Sequence, residues 1–271
     1  MTKMLIFGLG YTAGRLADRL RAQGWSVTAT GSKGDLDFAD AEAVNLAIGE
    51  ATHILSSVPP DRESGADPVL EAYGRALATA PARWIGYISS TGVYGDTGGA
   101  WVDESAAIGT GRREARSDAD AAWQELRNDI SVFRLPGIYG PGRSVLDRIR
   151  AGKAHRIDLP GQVFSRVHVD DIVSGIMAGL EGGHGVYNLS DDLPASHNEV
   201  TEYGCKLLGI DPPPLQTMDE AGLSEMARGF YAENRRVANG KAKRVLGWSP
   251  RYPDYRQGLR AVLEAEKDTA I

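Results

Sequence analysis

Gly8, Gly10 and Ala13 stand in the order G-x-G-x-x-A inside IFGLGYTAGRLADRL (residues 6–20), where an apolar run breaks into glycines and resumes with helical spacing. Small residues at these positions suit one kind of chemistry. The first lets the chain turn tightly and the second lets the backbone approach a diphosphate. The third lets a helix pack closely on the preceding strand. Amides at the start of that helix, from Tyr11 through Thr12 to Ala13, then face the phosphate charge. Glycines also punctuate ordinary turns, so the weight lies in the context: a strand pattern before, a helical pattern after, at the start of an alternating chain. The pattern predicts a dinucleotide-binding loop.

The next strand pattern bears on which dinucleotide fits. Sites for NAD place a carboxylate about twenty residues on, against the ribose 2′-hydroxyl. Here the segment reads TATGSKG, with Thr30, Ser32 and Lys33 and no acid before Asp35. A lysine and small hydroxyls suit a 2′-phosphate, so NADP is the expected cofactor and NAD is left open.

The elements that must position these residues are visible as a period. Short apolar runs, KMLIFG, SVTAT, HILSSV, WIGYISS and ISVFRL, alternate with amphipathic stretches, and RVHV and VYNLS follow. Strands buried on both faces read as such continuous runs, and helices fill the intervals. Ala13, Leu16, Ala17 and Leu20 share one helical face, and Gly24 sits where that helix would stop. PVLEAYGRALATA and DADAAWQELRN supply two more covering helices. DDIVSGIMAGLEGG reads as a helix with an aspartate cap and a glycine stop, and Ser196 with Glu199 has capping-box spacing. The fold class is α/β: a doubly wound parallel sheet with a smaller C-terminal lobe built from segments beyond about residue 150.

Composition narrows the partners. The 271 residues are 42% hydrophobic and 24% charged, with a net charge of −6. That balance argues against general nucleic-acid or membrane-surface binding. MTKMLIFGLG reaches glycine too soon for a signal peptide, and no apolar run approaches the ~20 residues of a membrane span, which predicts a cytoplasmic protein. The single cysteine, Cys205, reads as a buried structural residue. His53, His155, His168, His184 and His197 are scattered without metal-ligand spacing, so no metal is expected and each reads as structural.

Four further stretches carry a resemblance. YISSTGVYGD (87–96), FRLPGIYGPGR (133–143), VHVDDIVSGI (167–176) and KAKRVLGWSP (241–250) occur in the order and spacing of the extended short-chain dehydrogenase/reductases, the family of NAD-dependent epimerases and dehydratases. The likeness covers nearly the whole chain. It implies a Rossmann-type dinucleotide domain over 1–150, to which 166–190 returns, and a smaller substrate lobe from 151–165 and 191–271. Ser90 matches the hydroxyl that polarises a substrate carbonyl, with Thr91 beside it. Pro136, Gly137 and Ile138 match the turn against the nicotinamide ring. Ser57, Val58 and Pro59 match a wall on the nicotinamide side. Tyr94 is a candidate proton donor, although a packing role is the commoner one for such a residue.

The departure from the family is as informative. Its catalytic pair is Tyr-x-x-x-Lys, one helical turn apart. Aligned back from Trp123, Arg112 stands in place of the tyrosine and Arg116 in place of the lysine. Arginine stays protonated and cannot replace a phenol as acid and base. The acid/base pair of the dehydratases becomes Thr91 and Gly92. Arg112, Arg113 and Arg116 are candidates to bind a substrate anion, and a solvated helix face is the other reading. Arg235 and Arg236 lie near where family members grip the diphosphate of nucleotide sugars. Two readings follow: an NADP(H)-dependent oxidoreductase or epimerase-like enzyme of the atypical extended group, acting on a small carbonyl or hydroxyl compound, or a non-catalytic dinucleotide-binding protein that senses redox state or presents a surface to a partner. A homodimer is left open.

Overall fold

The first strand, β1 (Lys3–Phe7), already shows the layering. Met4 and Ile6 join one hydrophobic cluster and Leu5 and Phe7 join another, because successive side chains leave a strand on opposite faces. The structure, a computed structural model, describes residues 2–109 and 114–269. After β1 come α1 (Tyr11–Ala22), β2 (Ser26–Ala29), α2 (Ala41–Glu50), β3 (His53–Ser56), α3 (Pro68–Ala78) and β4 (Trp84–Ser90). A single 3-10 turn (Thr91–Tyr94) and the short β5 (Trp101–Val102) precede α4 (Glu114–Leu126) and β6 (Ile130–Leu135). Next are β7 (Gly137–Tyr139), α5 (Val145–Arg150), β8 (Arg156–Ile157), β9 (Arg166–His168), α6 (Val169–Glu181) and β10 (Gly185–Asn188). The chain continues with α7 (His197–Leu208), β11 (Leu215–Gln216), α8 (Glu225–Tyr231), β12 (Arg236–Val237), α9 (Gly240–Val245) and α10 (Tyr255–Thr269).

Six strands form one parallel sheet in the order β10-β6-β4-β3-β1-β2. From β1 the chain winds outward to β2 and then returns to β3 on the other side. Such a reversal opens a crevice beyond the carboxyl ends of the strands, where ligands of open α/β sheets bind. The sheet is doubly wound. Leu16 and Leu20 of α1 and Ile172 and Ile176 of α6 pack on one face. Val44 of α2, Leu77 of α3 and Trp123 of α4 pack on the other. Caps set the helix starts. The Asp67 carboxylate accepts the amides of Val69 and Leu70 ahead of Pro68, and its other oxygen accepts the Trp123 indole N–H at 2.9 Å, tying α3 to α4.

A separate core of Leu146, Ile149, Val200, Cys205, Leu259 and Val262 holds α5, α7 and α10 together. Cys205 is fully buried there, a free thiol acting as an apolar side chain. The capping box of Ser196 and Glu199 opens α7 as its spacing predicts.

Three details differ from the sequence reading. The N-cap of α6 is His168, whose Nδ1 accepts the Asp170 amide at 3.2 Å, and Asp170 and Asp171 occupy the first turn. Helix α5 packs in the second core rather than on the sheet, so that core begins before residue 150. Ala242 and Trp248, assigned to the lobe by sequence, return to the α1/α6 side of the sheet. Among the described residues, no helix is long and apolar enough to cross a membrane.

Candidate functional site

The crevice begins at the end of β1. Gly8 adopts φ +85°, which L side chains rarely take, and a Cβ there would lie 2.9 Å from Val58 Cγ2. The loop is held from behind. The Thr30 hydroxyl accepts the Gly8 amide at 3.1 Å, the Thr30 carbonyl accepts the Leu9 amide at 2.9 Å, and the Ser57 hydroxyl donates to the Gly8 carbonyl. Gly10 is the N-cap of α1 and has no side chain with which to cap it, so the first-turn amides face the crevice. A Cβ built on Gly10 would meet nothing within 4 Å. The backbone is therefore bare on the side where a diphosphate would lie, and the cradle fits that group.

From this loop a cleft of about 740 Å³ runs across the carboxyl ends of the strands and under the C-terminal segments. Gly10, Tyr11, Thr12 and Ala13 line its first part, and Ser57 and Pro59 flank it from β3. Ser90 and Thr91, at the end of β4, and Pro136, Gly137 and Ile138, after β6, line the middle. Arg116 reaches the cleft from α4, while Phe230, Tyr231 and Arg235 cover the far side. Ser90 Oγ accepts the Gly92 amide at 3.1 Å, and its own proton is not committed to any acceptor among the described residues.

Several expected site residues stand elsewhere. Thr30 is 1% exposed with its hydroxyl turned to Gly8, so it braces the loop and does not face a ribose phosphate. Gly8 and Val58 form a second layer behind the cleft wall, in contact with each other. Ser32 and Lys33 are exposed and outside the cleft lining, but they follow Gly31, which packs against Gly8 and Leu9 of the glycine loop. Arg112 lies outside the described residues, as does Arg113. The Arg235 guanidinium is paired with Glu233 at 2.8 Å and donates to the Gly95 carbonyl at 2.7 Å, so most of its charge is answered locally.

Tyr94 requires the clearest correction. It is 1% exposed and does not reach the cleft. Its hydroxyl donates to Asn188 Oδ1 at 2.8 Å and accepts from Arg134 Nη1 at 3.0 Å. Arg134 in turn grips Asp120 through two nitrogens, at 3.0 and 2.7 Å, and the same carboxylate accepts the Ser89 hydroxyl at 2.5 Å. Burial raises the Tyr94 pKa despite the neighbouring arginine. This is a satisfied core network, of the kind that rigidifies a cleft wall, and Tyr94 is part of the wall.

Arginines and histidines that the sequence did not assign to the site also gather here. Arg143 lies over the Tyr11 ring, 5.6 Å from its centroid, opposite the glycine loop, and Arg15 lies 4.8 Å from the same ring. Arg148, Arg166, His155 and His197 line the far end. Burial, then the charges of Arg166, Arg148 and His155, lower the His197 pKa to about 4, so its imidazole is neutral near pH 7. Both His155 and His197 line the cleft. Only Arg143 carried a signal, as the last residue of the GPGR turn; the others come together by lobe packing. No group of three or more His, Cys, Asp or Glu among the described residues could hold a metal ion.

No family model matches the chain. Among solved structures it is similar to a functionally unknown conserved protein from Silicibacter pomeroyi DSS, with 40% identity, a TM-score of 0.87, and coverage of 98% of this chain and 99% of that one. It shares its fold with the human epimerase family protein SDR39U1 (isoform 2), solved with NADPH, at 17% identity and a TM-score of 0.78, covering 97% and 99% of the two chains. Among curated proteins it is 28% identical to Protein YeeZ of Escherichia coli K12, over 94% of this chain and 97% of that protein. A shorter match, 31% identical over 47% of this chain and 45% of the relative, is to a 3-diazoavenalumate denitrifying reductase from a Streptomyces species.

Proposed function

We propose that the chain, which has the fold of the NAD-dependent epimerases and dehydratases, is an atypical member of the extended short-chain dehydrogenase/reductases and an NADP(H)-dependent oxidoreductase or epimerase-like enzyme acting on the carbonyl or hydroxyl of a small molecule. One observation carries the reading. A single cleft joins the bare first turn of α1, the Ser90 hydroxyl and the Pro136–Ile138 turn to a further stretch lined by Arg116, Phe230 and Tyr231. A protein that only held a dinucleotide would have no need of that further stretch. The fold neighbour solved with NADPH and the relative named a reductase support the same direction.

When bound, the nicotinamide dinucleotide would supply hydride transfer. Gly10 and the first-turn amides of α1 would hold its diphosphate, with Arg143 alongside, and Ser32 and Lys33 would meet the 2′-phosphate. Pro59 and the Pro136–Ile138 turn would bound the ring. Ser90 has a proton to donate to a substrate oxygen. Arg116, which has no carboxylate within ion-pair distance among the described residues, brings a permanent charge to the same cleft. Together they would stabilise negative charge growing on that oxygen as hydride arrives, and water in the cleft would supply the proton that completes the alcohol.

The test is NADPH oxidation with a panel of aldehydes and ketones by the natural protein and by Ser90→Ala. Loss of one such donor typically costs 10²–10³-fold in rate, and NADPH affinity should be unchanged. Tight NADPH binding with no turnover of any carbonyl would overturn the enzyme reading and favour a sensor.

A further inference from the structure

Behind the cleft, between α5, α7 and α10, lies a second cavity of about 420 Å³. The two share Gly137, Ile138, Arg143, Arg148, Arg166 and His197 at their junction. Val145, Val200 and Leu259 give the second cavity apolar walls. Tyr139 also lines it, and its buried hydroxyl has no hydrogen-bond partner.

Arg166 is held in place at this junction. Nη1 donates to the carbonyls of Phe164 and Ala195 at 2.7 and 2.8 Å, and Nη2 donates to that of Ser196 at 3.4 Å. A guanidinium has five N–H groups, so these three bonds leave two uncommitted among the described residues. No carboxylate lies within ion-pair distance of Arg166 or of Arg148 in that set. Asp191 is close enough to feel the Arg166 charge, yet burial pushes its pKa up to about 8, which leaves it protonated near pH 7. His197 is neutral and adds no counter-charge. Arg166 is half-buried, Glu199 favours its charge only from beyond ion-pair distance, and an anion entering from the cleft would give the guanidinium a direct partner.

The aromatic surroundings narrow the shape. The Arg166 guanidinium sits 5.9 Å from the Phe164 ring centroid, and Tyr231 stands edge-on to Phe164 at 5.6 Å and to His197 at 6.3 Å. Flat rings and aliphatic walls beside two spare N–H groups suit a planar carboxylate on an apolar body.

We propose that Arg148 and Arg166 bind the carboxylate of an organic acid substrate, whose apolar part enters the second cavity while its reacting carbon lies toward Ser90. This rests on the enzyme reading above for the identity of the reacting end. The carboxylate site itself is tested by binding alone.

Titration calorimetry on the NADP⁺-saturated protein would use hexanoate and benzoate, with hexanamide and benzamide as uncharged controls. The acids should bind at least about tenfold more tightly than their amides. Arg148→Gln and Arg166→Met should each reduce that preference. Arg166 is built into the wall and its replacement risks misfolding, so the exposed Arg148 keeps the test decisive. Equal affinity for acids and amides, no binding of the acids, or a preference that survives in Arg148→Gln would overturn the inference. NADP⁺ is titrated separately into the same samples, so failure of dinucleotide binding, which would sink the proposed function, is read independently of acid binding.

Discussion

The Thr30 hydroxyl, at the end of β2, accepts the amide proton of Gly8, at the end of β1, at 3.1 Å. This bond fixes the entry to the glycine loop, where Gly8 turns through φ +85°, from behind. Thr30→Val keeps the shape and removes the acceptor, leaving a part-buried N–H without its partner at a cost of up to about 1–3 kcal/mol. Urea unfolding should show that loss, together with weaker NADPH binding, and Thr30→Ser should restore both. An unchanged unfolding midpoint in Thr30→Val would mean the bond does not brace the loop.

Lys33 is exposed just past the same strand. Under the proposed cofactor preference, Lys33→Ala should weaken NADPH binding about ten- to a hundredfold and leave NADH nearly untouched, since a charge-assisted contact is worth roughly 1.5–3 kcal/mol. Equal effects on both dinucleotides would show that Lys33 does not read the 2′-phosphate.

Arg134 and Asp120 form an ion pair with side chains 3% and 0% exposed. Burial opposes the Arg134 charge, but the hydrogen bonds and charge of Asp120 outweigh it and hold the guanidinium pKa above its ordinary value. Asp120→Leu alone should cost about 3–5 kcal/mol, because it strands a buried cation. The double variant Asp120→Leu/Arg134→Met should recover much of that loss in the same denaturation experiment. Full additivity of the two single losses would contradict a coupled pair.

Asp191 makes stability depend on pH in a stated direction. Its unfolded carboxyl releases a proton near 3.8, whereas burial delays release in the native state to about 8. Between those values the native state binds more protons, so stability falls as pH rises, by up to about 1.4 kcal/mol per pH unit. Asp191→Asn removes that slope. The variant should therefore gain on the natural protein steadily across this window, as read by unfolding at several pH values. A pH-independent difference would show that Asp191 is ionised and neutralises Arg166, which would also weaken the case for a carboxylate ligand.

Local patterns were legible where one element decides them. WIGYISS and ISVFRL are the strands β4 and β6, end to end, because apolar runs of that length fit a sheet covered on both faces. Residue types and spacing in the glycine loop, and the Ser196–Glu199 box, likewise depend on neighbours a few positions away. What escaped the sequence depends on distant partners. The inward turn of Thr30 needs Gly8, 22 residues earlier. Tyr94 resembled a proton donor by position, and only the arginine hidden in ISVFRL, with its partner Asp120 on α4, shows why it is walled in. Arg148, Arg166 and His197 lie on three separate elements, and no periodicity announces their meeting.

The central claim is that the bare turn at Gly10 receives a dinucleotide. A Cβ at Gly10 has open space around it, so Gly10→Val should fold and melt much like the natural protein while its branched side chain occupies the path of the diphosphate. Calorimetric titration of NADPH into both proteins is the most direct measurement. The natural protein should bind, and the folded variant should lose binding. Equal NADPH affinity in a folded Gly10→Val, or no NADPH binding by the natural protein, would contradict the account.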